Sequence, residues 1–470
     1  MSNRPIETDY LVIGAGATAM AFVDTLLSES DARVVMVDRY HRPGGHWNHA
    51  YPFVRLHQPS AYYGVNSRSL GSGAKDEVGL NRGLMELASG AEVLDYFDQV
   101  MNHRFLPSGR VLYYPMSNLE ISPDGECTMT SLLSGSSRRI IPKRKIVNAT
   151  LADSRVPSTH PPAYAVAPGV TCIPLNDLPK IKRPHAGYVV VGSGKTGIDA
   201  VLWLLQHHVD PDDITWVVPR DAWYLDRGKL QPNEESFETT LGGIIDQFEA
   251  ISEATSVANV FQRLEATGQL LRLDPAVEPT VYRCCTVSQA ELAELRRITK
   301  VVRMGRVQRV DATSITLQHG TIPNDADRLI VDCSASAIVP PHAHKLFDGK
   351  RINLMMIRTC QPTFSAAVTA YLESHIDGED EKNALARPVP VPEVPNDWIR
   401  MWAVYLGNRV RWSQHAALNG WLMQSRIDSI AVLLRAVRES DTAKQALVAR
   451  YRASTAPVAA KLPTLMAALS

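Results

Sequence analysis

Two stretches of the chain share one hydrophobic pattern. Asp9-Tyr-Leu-Val-Ile-Gly-Ala-Gly-Ala-Thr-Ala19 and Gly187-Tyr-Val-Val-Val-Gly-Ser-Gly-Lys-Thr-Gly197 each run from an apolar, β-branched segment into a glycine-rich turn. An apolar run without alternation reads as a strand buried on both faces, as in a parallel sheet. Helical spacing follows each turn: Phe22, Leu26 and Leu27 after the first, and Ile198, Leu202, Leu204 and Leu205 after the second. Further buried strands, Val34 to Val37 and Ile214 to Val218, complete a βαβ unit in each case.

Between the units, Gly90 to Arg104 carries a helical pattern with Val93, Tyr96, Phe97 and Val100 on one side. Arg110 to Ala149 reads as a β-meander with turns at Pro123-Asp-Gly125 and Ser134-Gly-Ser-Ser137. Residues 232–300 read as mainly helical and Val301 to Leu317 as strands, and Leu329 to Val331 reads as a buried strand returning the chain to the first unit. Pro388-Val-Pro-Val-Pro392 with Pro395 predicts an extended connector, since proline is excluded from helix interiors. A helical C-terminal region with Trp398, Trp402, Trp412 and Trp421 follows.

Composition narrows the class. The 470 residues carry 49 Lys+Arg against 49 Asp+Glu, so no net field draws nucleic acid or anionic lipid, and neither is an expected partner. A strand begins almost at the N-terminus, without the layout of a signal peptide, and the longest apolar runs, such as Ile430 to Leu434, fall far short of the roughly 20 residues of a spanning helix. The expectation is a cytoplasmic protein. Cys127, Cys172, Cys284, Cys285, Cys333 and Cys360 lack framework spacing and are expected to be reduced thiols.

The turns carry the chemistry. A dinucleotide site needs one glycine to leave the strand sharply, a second to admit the pyrophosphate, and a small third residue for close packing of helix on strand. Gly14, Gly16 and Ala19 meet this pattern, as do Gly192, Gly194 and Gly197, with Ser193 and Thr196 in the second turn. The helix N-terminus after each turn supplies unpaired N–H groups to phosphate. Asp38, followed by Arg39, stands where an acid accepts ribose hydroxyls. In the second unit Arg220 stands near that position, which suits the 2′-phosphate of NADPH rather than NADH. Gly194-Lys-Thr196 is not a P-loop, because Val189 replaces the required glycine, and Lys195 is expected to approach cofactor phosphate instead.

Two such fingerprints in one chain resemble the class B flavoprotein monooxygenases, the group of flavin-containing monooxygenases, N-hydroxylases and Baeyer–Villiger enzymes. Arg42-Pro-Gly-Gly-His-Trp47 is similar to their GG-x-W, which places Gly45, His46 and Trp47 beside the flavin. Tyr51-Pro-Phe-Val-Arg55 with Ser60-Ala-Tyr62, Gly192-Ser-Gly194 with Asp199, and Gln361-Pro-Thr-Phe-Ser365 also resemble segments of these enzymes, the last closing over the flavin. The resemblance implies FAD on the first site, NADPH on the second, and oxygenation of a small organic substrate by O₂ through a C4a-(hydro)peroxyflavin. It also makes Arg283, after Tyr282, the active-site arginine that holds the oxygenated flavin and the nicotinamide.

Some positions depart from the Baeyer–Villiger pattern. Ile173 stands where its fingerprint histidine belongs, His57 replaces the aspartate that orients the arginine, and the ATG turns become Asn148-Ala-Thr-Leu151 and Asp332-Cys-Ser-Ala335. These departures restrict the reading to the broad class. His57 is a candidate proton relay or a structural histidine. His41, His46, His49 and His57 cluster without a carboxylate or thiol to complete a metal set, so no metal is expected. Tyr62, Tyr63, Trp47, Phe364 and Trp402 read as a substrate pocket or as core.

The prediction is an α/β fold of two Rossmann-like, three-layer dinucleotide-binding domains. Residues 1–182 and 326–470 form the FAD domain with its helical C-terminal region, and 183–325 an inserted NADPH domain. Its partners are a small-molecule substrate and O₂, with homo-oligomerisation left open. The rival readings are a reductase or oxidase without oxygen transfer and a non-catalytic flavin redox sensor. A disulfide reductase would need a C-x₄-C or C-x-x-C pair, which the sequence lacks; Cys284 and Cys285 read as core or loop thiols.

Overall fold

The computed structural model describes residues 4–152, 154–335 and 345–469. The first sheet is built on Ile6–Ile13, which pairs in parallel with Val34–Val37 on one side and with Ser137–Asn148 on the other. Val111–Tyr114 extends it in parallel beyond Val34–Val37. The expected meander is present: Ser117–Ile121, Cys127–Ser131 and Ser137–Asn148 run antiparallel in succession. Helix Ala17–Glu29 packs against helix Pro362–His375, and both are buried along most of their length. Helix Gly90–Val100 starts at a capping box in which Ser89 and Glu92 satisfy each other's backbone N–H groups.

A second sheet, wholly parallel, has the strand order Val301–Val302, Ile214–Val217, Tyr188–Val191, Leu329–Asp332, Cys172–Pro174. Here the sequence reading needs correction. Leu329–Asp332 does not return to the first sheet but lies beside Tyr188–Val191, and the second sheet reaches back to Cys172 rather than starting after residue 182. An apolar run buried on both faces looks the same whichever parallel sheet receives it, so the pattern defines the strand and not its partner. The strand that does join the first sheet is Arg351–Asn353, beside Ile146–Asn148.

Two smaller sheets accompany these. Ala222–Asp226 lies between Leu270–Leu271 and Val281–Val287. Val307–Val310, Ser314–Leu317 and Gly320–Pro323 form an antiparallel ribbon, edged by Ala165–Val166. After an extended stretch through the prolines, helix Pro395–Gln414 begins with proline at its first position, where the missing N–H costs nothing. Helix Thr442–Ala467 closes the chain against Phe237–Glu253. No helix among the described residues is long and apolar enough to cross a membrane.

Candidate functional site

Both glycine turns sit where adjacent parallel strands end level, Ile13 opposite Val37 and Val191 opposite Val217. In the second turn two of the three glycines have a steric reason within the fold. Gly192 has φ +123°, and a Cβ there would meet the Cys333 carbonyl at 2.5 Å. A Cβ on Gly197 would lie 2.0 Å from the Gly192 carbonyl, the close approach of helix to strand. A Cβ on Gly194 meets nothing within 4 Å, so the mouth of helix Lys195–Gln206 is open, and no side chain caps its N-terminus. An open, uncapped helix N-terminus on a tight glycine turn fits a pyrophosphate.

The first turn has the same form, with Gly14 at φ +96°, Ala19 fully buried and no side-chain cap on helix Ala17–Glu29. Asp38 is buried beside it. Its carboxylate accepts the N–H groups of Ala15, at 2.5 Å, and Tyr40, at 2.6 Å. Burial pushes its carboxyl above the ordinary aspartate value, against those two hydrogen bonds and Arg39. The Gly44 N–H donates to the Ala15 carbonyl at 2.9 Å, and a Cβ on Gly45 would stand 3.0 Å from the Gly16 Cα, so the GG-x-W loop lies on the turn. Beyond Asp38, a cavity of about 420 Å³ is lined by Arg39, Tyr40, His46, His49, Arg155 and His160, among others. Arg39 and Arg155 give this lining two permanent cations, which suit the phosphate-bearing part of a dinucleotide, while burial keeps His46 and His49 toward the neutral form.

Trp47, next in the loop, is buried and donates its indole N–H to the Tyr63 hydroxyl at 2.9 Å. Four of the candidate pocket aromatics fall into two groups of ring contacts, while Tyr62 is buried outside both. Trp47 meets Tyr63, which in turn meets Phe97, while Phe364 reaches Trp402 through Trp412 and Tyr405. They read as packed core.

His57 is held in place as a neutral acceptor. Its Nδ1 takes the Thr286 N–H at 3.2 Å, and burial, with Lys195 and Arg227 nearby, lowers its pKa to about 3. The contact with Thr286 is a structural one, and the buried setting disfavours the protonated ring. The Lys195 ammonium, at the start of the helix, pairs with Asp199 one turn on.

Arg220 and Arg283 are brought together, and by a residue that sequence reasoning missed. Oε1 of Glu393 accepts from Arg220 at 2.6 Å and from Arg283 at 2.9 Å. Both guanidinium groups are half-exposed, and Arg220, the larger cause, with Arg283 holds the Glu393 carboxyl below the usual glutamate range. The Arg220 carbonyl in turn accepts from Ser193 Oγ at 3.1 Å, which ties this cation to the second glycine turn. The one signal for Glu393 was its position as the acid amid the proline-rich connector.

The cysteine expectation also fails at one pair. Cys284 and Cys360, 76 positions apart, form a disulfide, while Cys127, Cys172, Cys285 and Cys333 are free. Spacing rules find pairs that are near in sequence, and this one is assembled by the tertiary fold.

No family model matches the chain. It is 47% identical over 452 residues to the uncharacterized protein Rv2000 of Mycobacterium tuberculosis, across 96% of this chain and 82% of that one. The uncharacterized protein Mb2023 of Mycobacterium bovis matches with the same identity and coverage. Among solved structures, an ε-caprolactone-bound cyclohexanone monooxygenase is similar with a TM-score of 0.50 at 15% identity, over 80% of this chain and 88% of that one. A likeness at that identity is one of fold. The chain thus belongs to the family of these mycobacterial proteins, and its fold is that of the class B flavoprotein monooxygenases.

Proposed function

We propose that the protein is an FAD- and NADPH-dependent monooxygenase acting on a small organic substrate with O₂. The observation that carries this reading is the pair of uncapped, glycine-lined helix N-termini in one fold, the first beside a buried acid and the second beside a cation. Gly14, Gly16, Ala19, Asp38 and Arg39 would hold the adenosine and pyrophosphate of FAD, with Gly45, His46 and Trp47 toward its ring. Gly192, Ser193, Gly194, Thr196, Gly197 and Arg220 would hold NADPH. When bound, the flavin supplies hydride acceptance and oxygen activation, and the protein supplies orientation, charge and exclusion of water.

Within that division, Arg220 reads the 2′-phosphate as a fork of donors. Arg283 offers a permanent positive charge that cannot be lost as a proton. Lys195 is set back, holding Asp199 in place, and His57 fixes the strand carrying Thr286 through its neutral ring. A second reading, an NAD(P)H reductase or oxidase without oxygen transfer, is favoured by the engagement of Arg283 with Glu393.

The deciding experiment loads the protein with FAD and compares NADPH or NADH consumed, O₂ consumed and hydrogen peroxide released, with and without a panel of ketones, amines and sulfides. Substrate-dependent loss of peroxide at constant O₂ uptake supports oxygen transfer. Stoichiometric peroxide with every candidate favours the second reading, and no consumption of either NADPH or NADH overturns both.

A further inference from the structure

The Cys284–Cys360 disulfide joins two segments that function would need to keep in register. Cys284 lies in strand Val281–Val287, directly after Arg283, and Cys360 directly precedes Gln361 and helix Pro362–His375. The strand is irregular at this point. Tyr282 pairs with Trp223 and Thr286 with Leu225, so Arg283, Cys284 and Cys285 all stand opposite Tyr224 alone. This bulge turns Cys284 toward Cys360 and leaves Cys285 buried.

Cys284 and Cys360 both have φ +55°, which makes them two of the four non-glycine residues with positive φ among the described residues. A cysteine has no intrinsic preference for that conformation, so the backbone on each side is held there by its surroundings. Three consecutive residues tether the bulge to the C-terminal part of the chain. The Tyr282 N–H donates to the Glu393 carbonyl at 2.9 Å, Arg283 pairs with the Glu393 carboxylate, and Cys284 is bonded to Cys360. Cys360 is half-buried and Cys284 buried, so Cys360 is the more exposed end of the bond.

We propose that Cys284–Cys360 is a reversible redox cross-link that clamps the Arg283 bulge, and that its reduction releases the bulge. Reduction takes two electrons and two protons from a dithiol. A dithiol sulfur attacks Sγ of Cys360 and frees the Cys284 thiol, and the second thiol of the reductant then closes its own disulfide and frees Cys360. Re-formation uses a hydroperoxide: one thiolate attacks the peroxide oxygen, giving a sulfenic acid and the corresponding alcohol or water. The other thiolate then displaces water from that sulfur to form the S–S bond. Any effect of that release on nucleotide binding would rest on the proposed roles of Arg220 and Arg283, but the cross-link itself does not.

The test uses the full-length protein without added cofactor. Thiols are alkylated and mapped by mass spectrometry after hydrogen peroxide and after a dithiol reductant, and tryptic cleavage after Arg283 is timed in both states. The expected result is that Cys284 and Cys360 are protected together after peroxide and labelled after the dithiol. Cleavage after Arg283 should be at least about threefold faster in the reduced protein. Cys360→Ser should cleave at the reduced rate without any reductant, and the wild-type comparison stands if that variant folds poorly. Free labelling of both cysteines after peroxide overturns the proposal, as do equal cleavage rates in the two states. Neither readout requires flavin or nicotinamide, so failure of NADPH turnover would sink the proposed function and leave the cross-link standing.

Discussion

The Tyr51 hydroxyl, from the segment after the GG-x-W loop, donates to the carboxylate of Asp199, on the helix that opens the second glycine turn. The same carboxylate oxygen takes the Lys195 ammonium, so one acid links the two dinucleotide units and anchors the cation beside the turn. Burial, and then Asp199, raises the Tyr51 phenol far above its ordinary value, so it stays a donor at any physiological pH. Tyr51→Phe leaves Asp199 short of a partner and should cost about 1–2 kcal/mol. A denaturant midpoint equal to the wild type would remove this contact from the account.

The second turn separates folding from binding. Gly197→Ala drives a methyl group into the Gly192 carbonyl and should destabilise by about 1–3 kcal/mol or more. Gly194→Ala points into open space at an ordinary φ of −82° and should leave stability within about 0.5 kcal/mol. If a pyrophosphate lies there, Gly194→Ala should still weaken NADPH binding. Thermal melting with nucleotide titration checks both, and unchanged binding in Gly194→Ala would count against the site.

Glu393 competes for the cations that the proposed function assigns to cofactor. Glu393→Gln removes the competing charge and should tighten binding of the 2′-phosphorylated nucleotide several-fold, with little change for NADH. Arg220→Ala should do the reverse and erase most of the preference for NADPH. Parallel dissociation constants for the two nucleotides decide, and an unaltered ratio in Arg220→Ala would reject the assignment.

Acid stability carries a signature of His57. Its pKa is about 3 in the fold, below the unfolded value of about 6.5. As pH falls below the unfolded value, the unfolded chain takes up a proton that the folded ring refuses. Stability is therefore complete above about pH 6.5 and declines toward pH 3. His57→Asn keeps an acceptor for Thr286 without titrating, and should flatten that part of the stability–pH curve. The same slope in wild type and variant would refute the shift.

The sequence made some of this legible and not the rest, for identifiable reasons. The two βαβ units, the meander and the extended proline connector follow from local pattern, and local pattern is what periodicity and turn chemistry report. The positions of Gly14, Gly192, Gly197 and Asp38 follow from the same local geometry. What escaped depends on chain segments far apart in sequence. Examples are the meeting of Cys284 with Cys360, Glu393 between Arg220 and Arg283, and the hydrogen bond of Tyr51 to Asp199. A single charged residue in a connector gives no sign of which cation it will meet. The partner of strand Leu329–Asp332 was lost for a related reason, since burial on both faces suits either sheet.

That strand has a consequence in time. It sits between Tyr188–Val191 and Cys172–Pro174, so the first strand of the second sheet waits on a neighbour made more than a hundred residues later. During synthesis the sheet keeps an open, hydrogen-bond-hungry edge until residue 332 has left the ribosome, and non-local parallel pairing of this kind closes slowly. A nascent chain halted before Leu329 should present that edge to chaperones, and one halted well past Asp332 should conceal it.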